Sequence, residues 1–513
     1  MWRTANGSTL LFGDEHPPAT LNRHRSQQPP HVSFESAVPF DEAQFMGRQD
    51  GGQSRQRLAE YYRYILGKMP APSLREYHSL ASDDCDLMKA EDDSAVDDTI
   101  RAVGIITQLN DPAAIGDELN SPWEFYPIDD PNDDESFVGA IRALCPKSVT
   151  DEDHRLRRIY LYSKQLTRFS NLYPGCVAGI VGTPLRRDSE GAVTAIIVRH
   201  ITVSRRPIFP WPCKTSSVEV TSGNPSYPKT SRIHFLAGPF PRRDIEGIIE
   251  AAVGQAIHRK ADVLILGGPL VTEYQDYEFA QLAGDKTTFE DKLINIMDGI
   301  ERQLQRSKST LKVAVIPSPL DVVQIPAMPQ PKYCVEDSAG VFALSNPCEI
   351  IVDRLRIGVS NFDSVTPMRD RMVERMHGRD EGSLQRVVET IIQSRLYAPF
   401  HEIPSSSHDL LNLEKLRIAK ADNEVEMFPH VVLMASTKPA FAFQTHSCKQ
   451  DLSDAVGEGC LVVNPGIWDP RRKEAPFDAK VAEVTFLDLE LASDFGCSAR
   501  NGVSVGILAI YKG

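Results

Sequence analysis

The second half of the chain alternates short, mainly apolar runs with longer stretches whose apolar residues recur every three or four positions. The runs are Ile233-His234-Phe235-Leu236-Ala237-Gly238-Pro239-Phe240, Asp262-Val263-Leu264-Ile265-Leu266-Gly267-Gly268-Pro269, Val313-Ala314-Val315-Ile316-Pro317-Ser318-Pro319 and His430-Val431-Val432-Leu433-Met434-Ala435-Ser436-Thr437-Lys438. Each ends in small or turn-forming residues, as a buried strand that delivers a loop should. Between them the spacing predicts a helix over 244–259, with Asp244 as N-cap before Ile245, Ile248, Ile249, Ala252, Val253 and Ile257. A second helix is predicted over 289–304, with Leu293, Ile296, Met297, Ile300 and Leu304 on one face, and a third over 384–394. The tail returns to strands at 461–463, 481–487 and 503–510. This alternation predicts a layered α/β domain over 230–513.

The first half reads differently. Short β-rich runs at 99–109, 158–162, 176–181 and 192–203 are punctuated by turns at Tyr173-Pro174-Gly175 and Asp188-Ser189-Glu190-Gly191. They predict a small all-β barrel or sandwich over 99–215, whose size fits an OB-type barrel, interrupted by an insert at 110–150 that is expected to be mobile. Residues 207–229 read as a linker pinned by Phe209 and Trp211, since Pro207, Pro210 and Pro212 rule out a helix. Residues 1–54 are rich in Pro, Gln, Ser, Gly and Arg without periodic apolar spacing, and are expected to be disordered. Residues 55–98 read as a helical and acidic linker. Leu58, Tyr61, Tyr62, Tyr64, Ile65 and Leu66 suit a docking helix within 54–68, and the acidic runs around 83–98 and 129–135 suit solvated loops or a contact for a basic partner.

Composition narrows the picture further. The formal net charge is −14 over 513 residues, which argues against tight, non-specific nucleic-acid binding through the whole surface. No apolar run approaches a membrane span, and residues 1–21 carry no signal-peptide core. The nine cysteines form no C-x-x-C pair, which suggests free thiols in a reducing compartment, cytosol or nucleus, and no zinc site. Gly267-Gly268-Pro269 lacks the frame of a phosphate-binding loop, and no G-x-S-x-G elbow is present. The basic groups Arg205-Arg206, Arg242-Arg243 and Arg471-Arg472-Lys473 read first as solvated surface and second as contacts to a nucleic-acid backbone.

An ordered set of segments carries a resemblance. It comprises Leu236-Ala237-Gly238-Pro239-Phe240, residues 261–269, Val315-Ile316-Pro317-Ser318-Pro319-Leu320-Asp321-Val322, Met328-Pro329-Gln330-Pro331, Ser345-Asn346-Pro347-Cys348, Ile357-Gly358-Val359-Ser360, Gln393-Ser394-Arg395-Leu396-Tyr397-Ala398-Pro399 and Val463-Asn464-Pro465-Gly466. Leu172-Tyr173-Pro174-Gly175 adds a barrel turn. In this order and spacing the chain resembles the accessory B subunits of eukaryotic replicative DNA polymerases. The Pro-Gln-Pro and Pro-Ser…Asp-Val pieces favour the members that serve DNA polymerase α–primase over those of δ and ε.

The resemblance implies a calcineurin-like metallophosphoesterase domain, a two-sheet sandwich flanked by helices, with catalysis lost and an OB barrel packed against it. The ancestral metal-ligand motifs would fall on Gly238 and Phe240, on Pro269 and Thr272, on Ser318 and Pro319, and on Ser436 and Lys438. Two divalent cations held close together need several carboxylates and imidazoles, and these residues supply none. The expectation is therefore no enzyme activity, no catalytic residues, no metal and no cofactor. Asp321 is expected to hydrogen-bond a loop, and His234 to be a core residue. The implied role is a nuclear scaffold for DNA replication. It would hold the C-terminal domain of the polymerase α catalytic subunit and tether the primase subunits, with weak or indirect DNA contact and no membrane. Residues 326–331 are among the candidate docking pieces. The alternatives are a δ or ε accessory subunit, a single-stranded DNA-binding barrel, and an active, divergent metallophosphoesterase drawing ligands from Asp353, Asp363 or His401.

Overall fold

The structure is a computed structural model. It describes residues 2–3, 9–10, 32–35, 100–108, 123–127, 159–162, 173, 176–189, 191, 193–203, 229–240, 245–272, 288–324, 328–338, 340–352, 355–371, 383–398, 418, 420–422, 425–445, 460–467, 480–488 and 502–509. Several expectations lie outside these residues: the 54–68 helix, the acidic runs, the three arginine clusters, Phe209, Trp211, the Asp244 cap, Pro326, Asp353 and His401.

Short strands β1 (Trp2–Arg3) and β2 (Thr9–Leu10) pair with each other, and β3 (Val32–Glu35) follows. A barrel is built from β4 (Ile100–Gln108), β5 (Trp123–Pro127), β6 (Ile159–Tyr162), β7 (Cys176–Arg187) and β8 (Val193–Val203). It closes in the order β4-β5-β6-β8-β7, and only the β6–β8 pair is parallel. Ile106, Ile159, Leu161, Ile180 and Ile196 are buried in it. At the two expected turn positions, Cys176 N donates to Tyr173 O at 3.0 Å, and Gly191 N donates to Asp188 O at 3.1 Å from a positive φ of 84°. One expectation is corrected. Trp123–Pro127 falls in the stretch read as an insert, yet it is the second barrel strand. Its aromatic run has strong β propensity but is only five residues long and is followed by the acidic sequence 129–135.

Two six-stranded sheets form a sandwich. The first sheet has the order β12-β11-β10-β9-β20-β21, from β9 (Lys229–Ala237), β10 (Val263–Gly267), β11 (Lys312–Ile316), β12 (Val341–Ala343), β20 (Lys480–Asp488) and β21 (Gly502–Ala509). The second has the order β18-β19-β17-β14-β13-β3, from β13 (Cys348–Val352), β14 (Leu355–Ser360), β17 (Val431–Met434), β18 (Phe441–Gln444) and β19 (Leu461–Asn464). A separate hairpin pairs β15 (Lys420–Asp422) with β16 (Val425–Met427).

Side-chain alternation explains why the central runs are apolar throughout. Val263 and Ile265 face the core between the sheets, with Ile357, Val359 and Leu433 opposite. Leu264 and Leu266 face outward onto α1 (Ile245–His258) and α2 (Phe289–Ser307), through Ile249, Val253, Ile296 and Ile300. On the far side, α3 (Val365–Arg371) and α4 (Ser383–Ser394) cover the second sheet through Met368, Val387 and Ile391, against Val432 and Met434. The order of layers is helix, sheet, sheet, helix. A capping box starts α2: Asp291 N donates to Thr288 Oγ1 at 3.1 Å and Thr288 N donates to Asp291 Oδ2 at 3.0 Å. The helix ends at Lys308, which has φ of 49°. Among the described residues no helix is long and apolar enough to cross a membrane.

A second correction concerns the N-terminal segment. Val32–Glu35 lies within the stretch expected to be disordered, and it pairs antiparallel with β13. Four residues with two apolar positions are too short to stand out in a polar, proline-rich context.

At the entry to β17, His430 Nδ1 accepts the Arg356 backbone N–H at 2.9 Å. Burial, and then the nearby Arg356 charge, lowers its pKa to about 4. The folded value lies below the ordinary one, so this contribution to stability is intact above about pH 6.5 and is lost as pH falls toward the folded value. His430→Asn keeps an acceptor in place and cannot titrate. Urea unfolding at pH 7 and pH 5 should show the wild type losing about 2 kcal/mol relative to the variant over that interval.

Candidate functional site

Parallel register brings the expected motif positions to one end of the sandwich. Gly267 is level with Ala237 and Ile316, so the loops after β9, β10 and β11 emerge side by side. Gly238 N donates to Gly267 O at 2.9 Å and Gly268 N to Ile316 O at 2.8 Å. A Cβ on Gly238 would lie 3.0 Å from Gly268 O, which explains a glycine at this crossing. Phe240 is buried in the helix-side core with Ile248 and Ile249. Gly238 and Pro269 are buried and Thr272 and Pro319 half-buried.

Asp321 organises these loops. Its Oδ1 accepts from Leu270 N at 2.7 Å and Val271 N at 3.2 Å, and its Oδ2 accepts from Ser318 N at 2.7 Å and the Tyr333 hydroxyl at 2.7 Å. Burial pushes the carboxyl up to about 6 against the four donors, so it is ionised at neutral pH. A shifted carboxyl at strand ends is a reason to look for catalysis. Here the side chain is only 3% exposed and both oxygens are occupied by the protein, so it holds the loop and presents no lone pair to a ligand.

The second sheet is tied in by Asn361, immediately after β14. Its Nδ2 donates to Gly268 O at 2.9 Å and Pro317 O at 3.0 Å, spanning both first-sheet loops. Asn346 Oδ1 accepts from Asn361 N at 2.9 Å, while Asn346 Nδ2 donates to Gln330 Oε1 at 3.1 Å. Met328, Pro329 and Gln330 are buried by this arrangement, so these three residues of the 326–331 segment do not face solvent. Asp363 accepts from Thr366 N, Thr437 N and Thr437 Oγ1, each at 3.0 Å, and so joins the start of α3 to the loop after β17. Asn464 Oδ1 accepts from Ser436 N at 3.0 Å and its Nδ2 donates to Lys438 O at 3.2 Å. Ser436 is buried, and its Oγ accepts from Lys438 N at 3.2 Å.

These side chains do not fit a two-metal centre. At Gly238, Phe240, Pro269, Thr272, Ser318, Pro319, Ser436 and Lys438 there is no carboxylate or imidazole. Nearby, the carboxylates of Asp321 and Asp363 are engaged by backbone and hydroxyl donors. Asn361 aims an amide NH2, a donor, at the loop carbonyls. Among the described residues no group of three or more His, Cys, Asp or Glu stands together as a metal site would require.

His234 lies away from these loops, in the middle of β9. Its Nε2 is 2.9 Å from Glu483 Oε2 on the neighbouring strand β20. It is a buried core residue, as its place inside an apolar run suggests.

Residues 237–443 match the family model of the B subunit of DNA polymerase alpha/epsilon. The matched residues run from the end of β9 through β18, and so contain most of the interlocked loops. This supports the B-subunit family and is common to its alpha and epsilon members. No curated protein matches the chain.

Asn361, Asn346 and Asn464 were not singled out as site residues by sequence reasoning. The available signal was a polar residue directly after an apolar run, at Ser360-Asn361 and Val463-Asn464.

Proposed function

We propose that this chain is the non-catalytic accessory B subunit of a DNA polymerase α–primase in the nucleus. It would scaffold the C-terminal domain of the catalytic subunit and the primase subunits for primer synthesis at the start of DNA replication. The observation that carries this reading is the family match over strand-end loops whose polar groups bind one another. A site whose carboxylates are saturated by backbone donors has lost its means of binding metal while keeping a rigid surface. Rigid loops lose little entropy on docking to a partner. The preference for α over ε rests on Met328-Pro329-Gln330-Pro331 and Pro317-Ser318-Pro319-Leu320-Asp321-Val322.

The barrel is read as an OB fold because its third and fifth strands pair in parallel within a closed five-stranded order. One apolar cluster that includes its buried residues together with α3 and α4 supports its packing onto the phosphoesterase-like domain. DNA contact is taken as indirect, in keeping with the net charge of −14.

A tagged pull-down at moderate salt, followed by mass spectrometry, tests the assignment. Recovery of a polymerase α catalytic chain with both primase subunits, in equal amounts, is the expected result. An ε or δ catalytic chain would move the assignment within the family. Hydrolysis of bis(p-nitrophenyl) phosphate by the purified chain with added manganese would overturn the loss of catalysis.

A further inference from the structure

The edge of the second sheet carries a feature that the scaffold reading does not use. β13 would be an edge strand were it not paired with β3, which arrives from the N-terminal segment with residues 36–99 between it and the barrel. The register sets Val32 opposite Val352, Ser33 opposite Ile351, Phe34 opposite Ile350 and Glu35 opposite Glu349. Val32 and Phe34, two apart, both pack on the core between the sheets, whose residues Ile350 and Val352 are fully buried. The Phe34 ring stands 4.6 Å from that of Phe342, on the edge strand of the opposite sheet, and Lys312 Nζ lies 6.0 Å from its centre. Lys312 Nζ also donates to Val32 O at 3.2 Å. The strand therefore closes the open side of the sandwich between β13 and β12.

We propose that the β13 edge is a strand-accepting groove for an extended segment with apolar residues two positions apart, filled in cis by the chain's own Val32–Glu35 as a removable strap. The recognition chemistry is β-augmentation: backbone pairing supplies adhesion, and the Phe342–Lys312 wall selects an aromatic at the Phe34 position. The strap is short, with two half-buried apolar side chains, whereas β13 is also held by its full pairing with β14. Removal of the strap leaves β13 in place but bares its unpaired backbone and the rim of the core, a surface that recruits other strands. The tether keeps the strap at high effective concentration, so a free segment gains access only when the strap is weakened.

The test uses the full chain, as wild type and as the double variant Val32→Asp and Phe34→Asp. A fluorescent peptide of residues 28–39 should bind the double variant at least tenfold more tightly than the wild type, read by anisotropy. The same peptide carrying F34D should not bind. Hydrogen exchange should quicken at least tenfold at the β13 amides in the double variant and stay unchanged in β17. Equal peptide binding to both chains, or none to a variant with exposed β13 amides, would overturn the groove. Loss of protection across β17 as well would show an integral strand, and a Phe34-dependent dimer on gel filtration would show pairing between copies. Either result would overturn the strap in cis.

Discussion

Asp321→Asn should lower the unfolding free energy by about 3 kcal/mol at neutral pH, read by urea denaturation. The wild-type carboxylate accepts four hydrogen bonds, from Leu270, Val271, Ser318 and Tyr333. An asparagine offers one oxygen, and its NH2 must face either the Ser318 N–H or the two N–H groups of Leu270 and Val271. The Tyr333 hydroxyl can rotate to accept, but backbone donors cannot, so at least one is left buried and unsatisfied. Asp363→Asn is the comparison. Its partners are half-buried, and a loss of about 1 kcal/mol is expected because water can replace them. Asp321 also has a distinct pH behaviour. With its folded pKa raised to about 6, the folded chain takes up this proton before the unfolded chain does. Its contribution therefore rises as pH falls from about 6 to about 4, opposing the loss from His430.

Glu483→Gln should cost about 4 kcal/mol, since it breaks a buried ion-pair cluster by removing one partner. Glu483 Oε2 accepts from Arg259 Nε at 2.7 Å, and Oε1 accepts from Arg259 Nη2 at 3.0 Å. Arg232 Nε stands 3.8 Å away. A carboxylate only accepts, so His234 Nε2, at 2.9 Å, carries the hydrogen of a neutral ring. Burial is the largest influence on His234 and lowers its pKa, in keeping with that neutral form. Burial also raises the Glu483 carboxyl, but the hydrogen bonds from His234 and Arg259 outweigh it and hold the group down at about 2. A depressed carboxylate contributes stability that is present above the ordinary carboxylate range and lost as pH falls toward 2. The variant lacks that titration, so the two stability curves should converge in acid. A constant gap from pH 7 down to pH 3 would remove the electrostatic explanation.

The local sequence determined the elements whose pattern is self-contained. The runs at Val263–Gly267, 313–316 and Val431–Met434 are apolar on both faces because each strand is covered on both sides. The apolar stripe of Phe289–Ser307 and its Thr288–Asp291 start are likewise readable in one stretch of chain. The absence of metal-type residues at Gly238, Ser318 and Ser436 is also a property of sequence alone.

Only the tertiary structure decided where the polar groups at these strand ends find their partners. Asn361 reaches Gly268 and Pro317 because the two sheets face each other, and no local period encodes that meeting. The same holds for Trp123–Pro127 and Val32–Glu35, strands too short to declare themselves. Their identity lies in a vacant edge elsewhere in the chain, where backbone N–H and C=O groups must be paired once water is excluded.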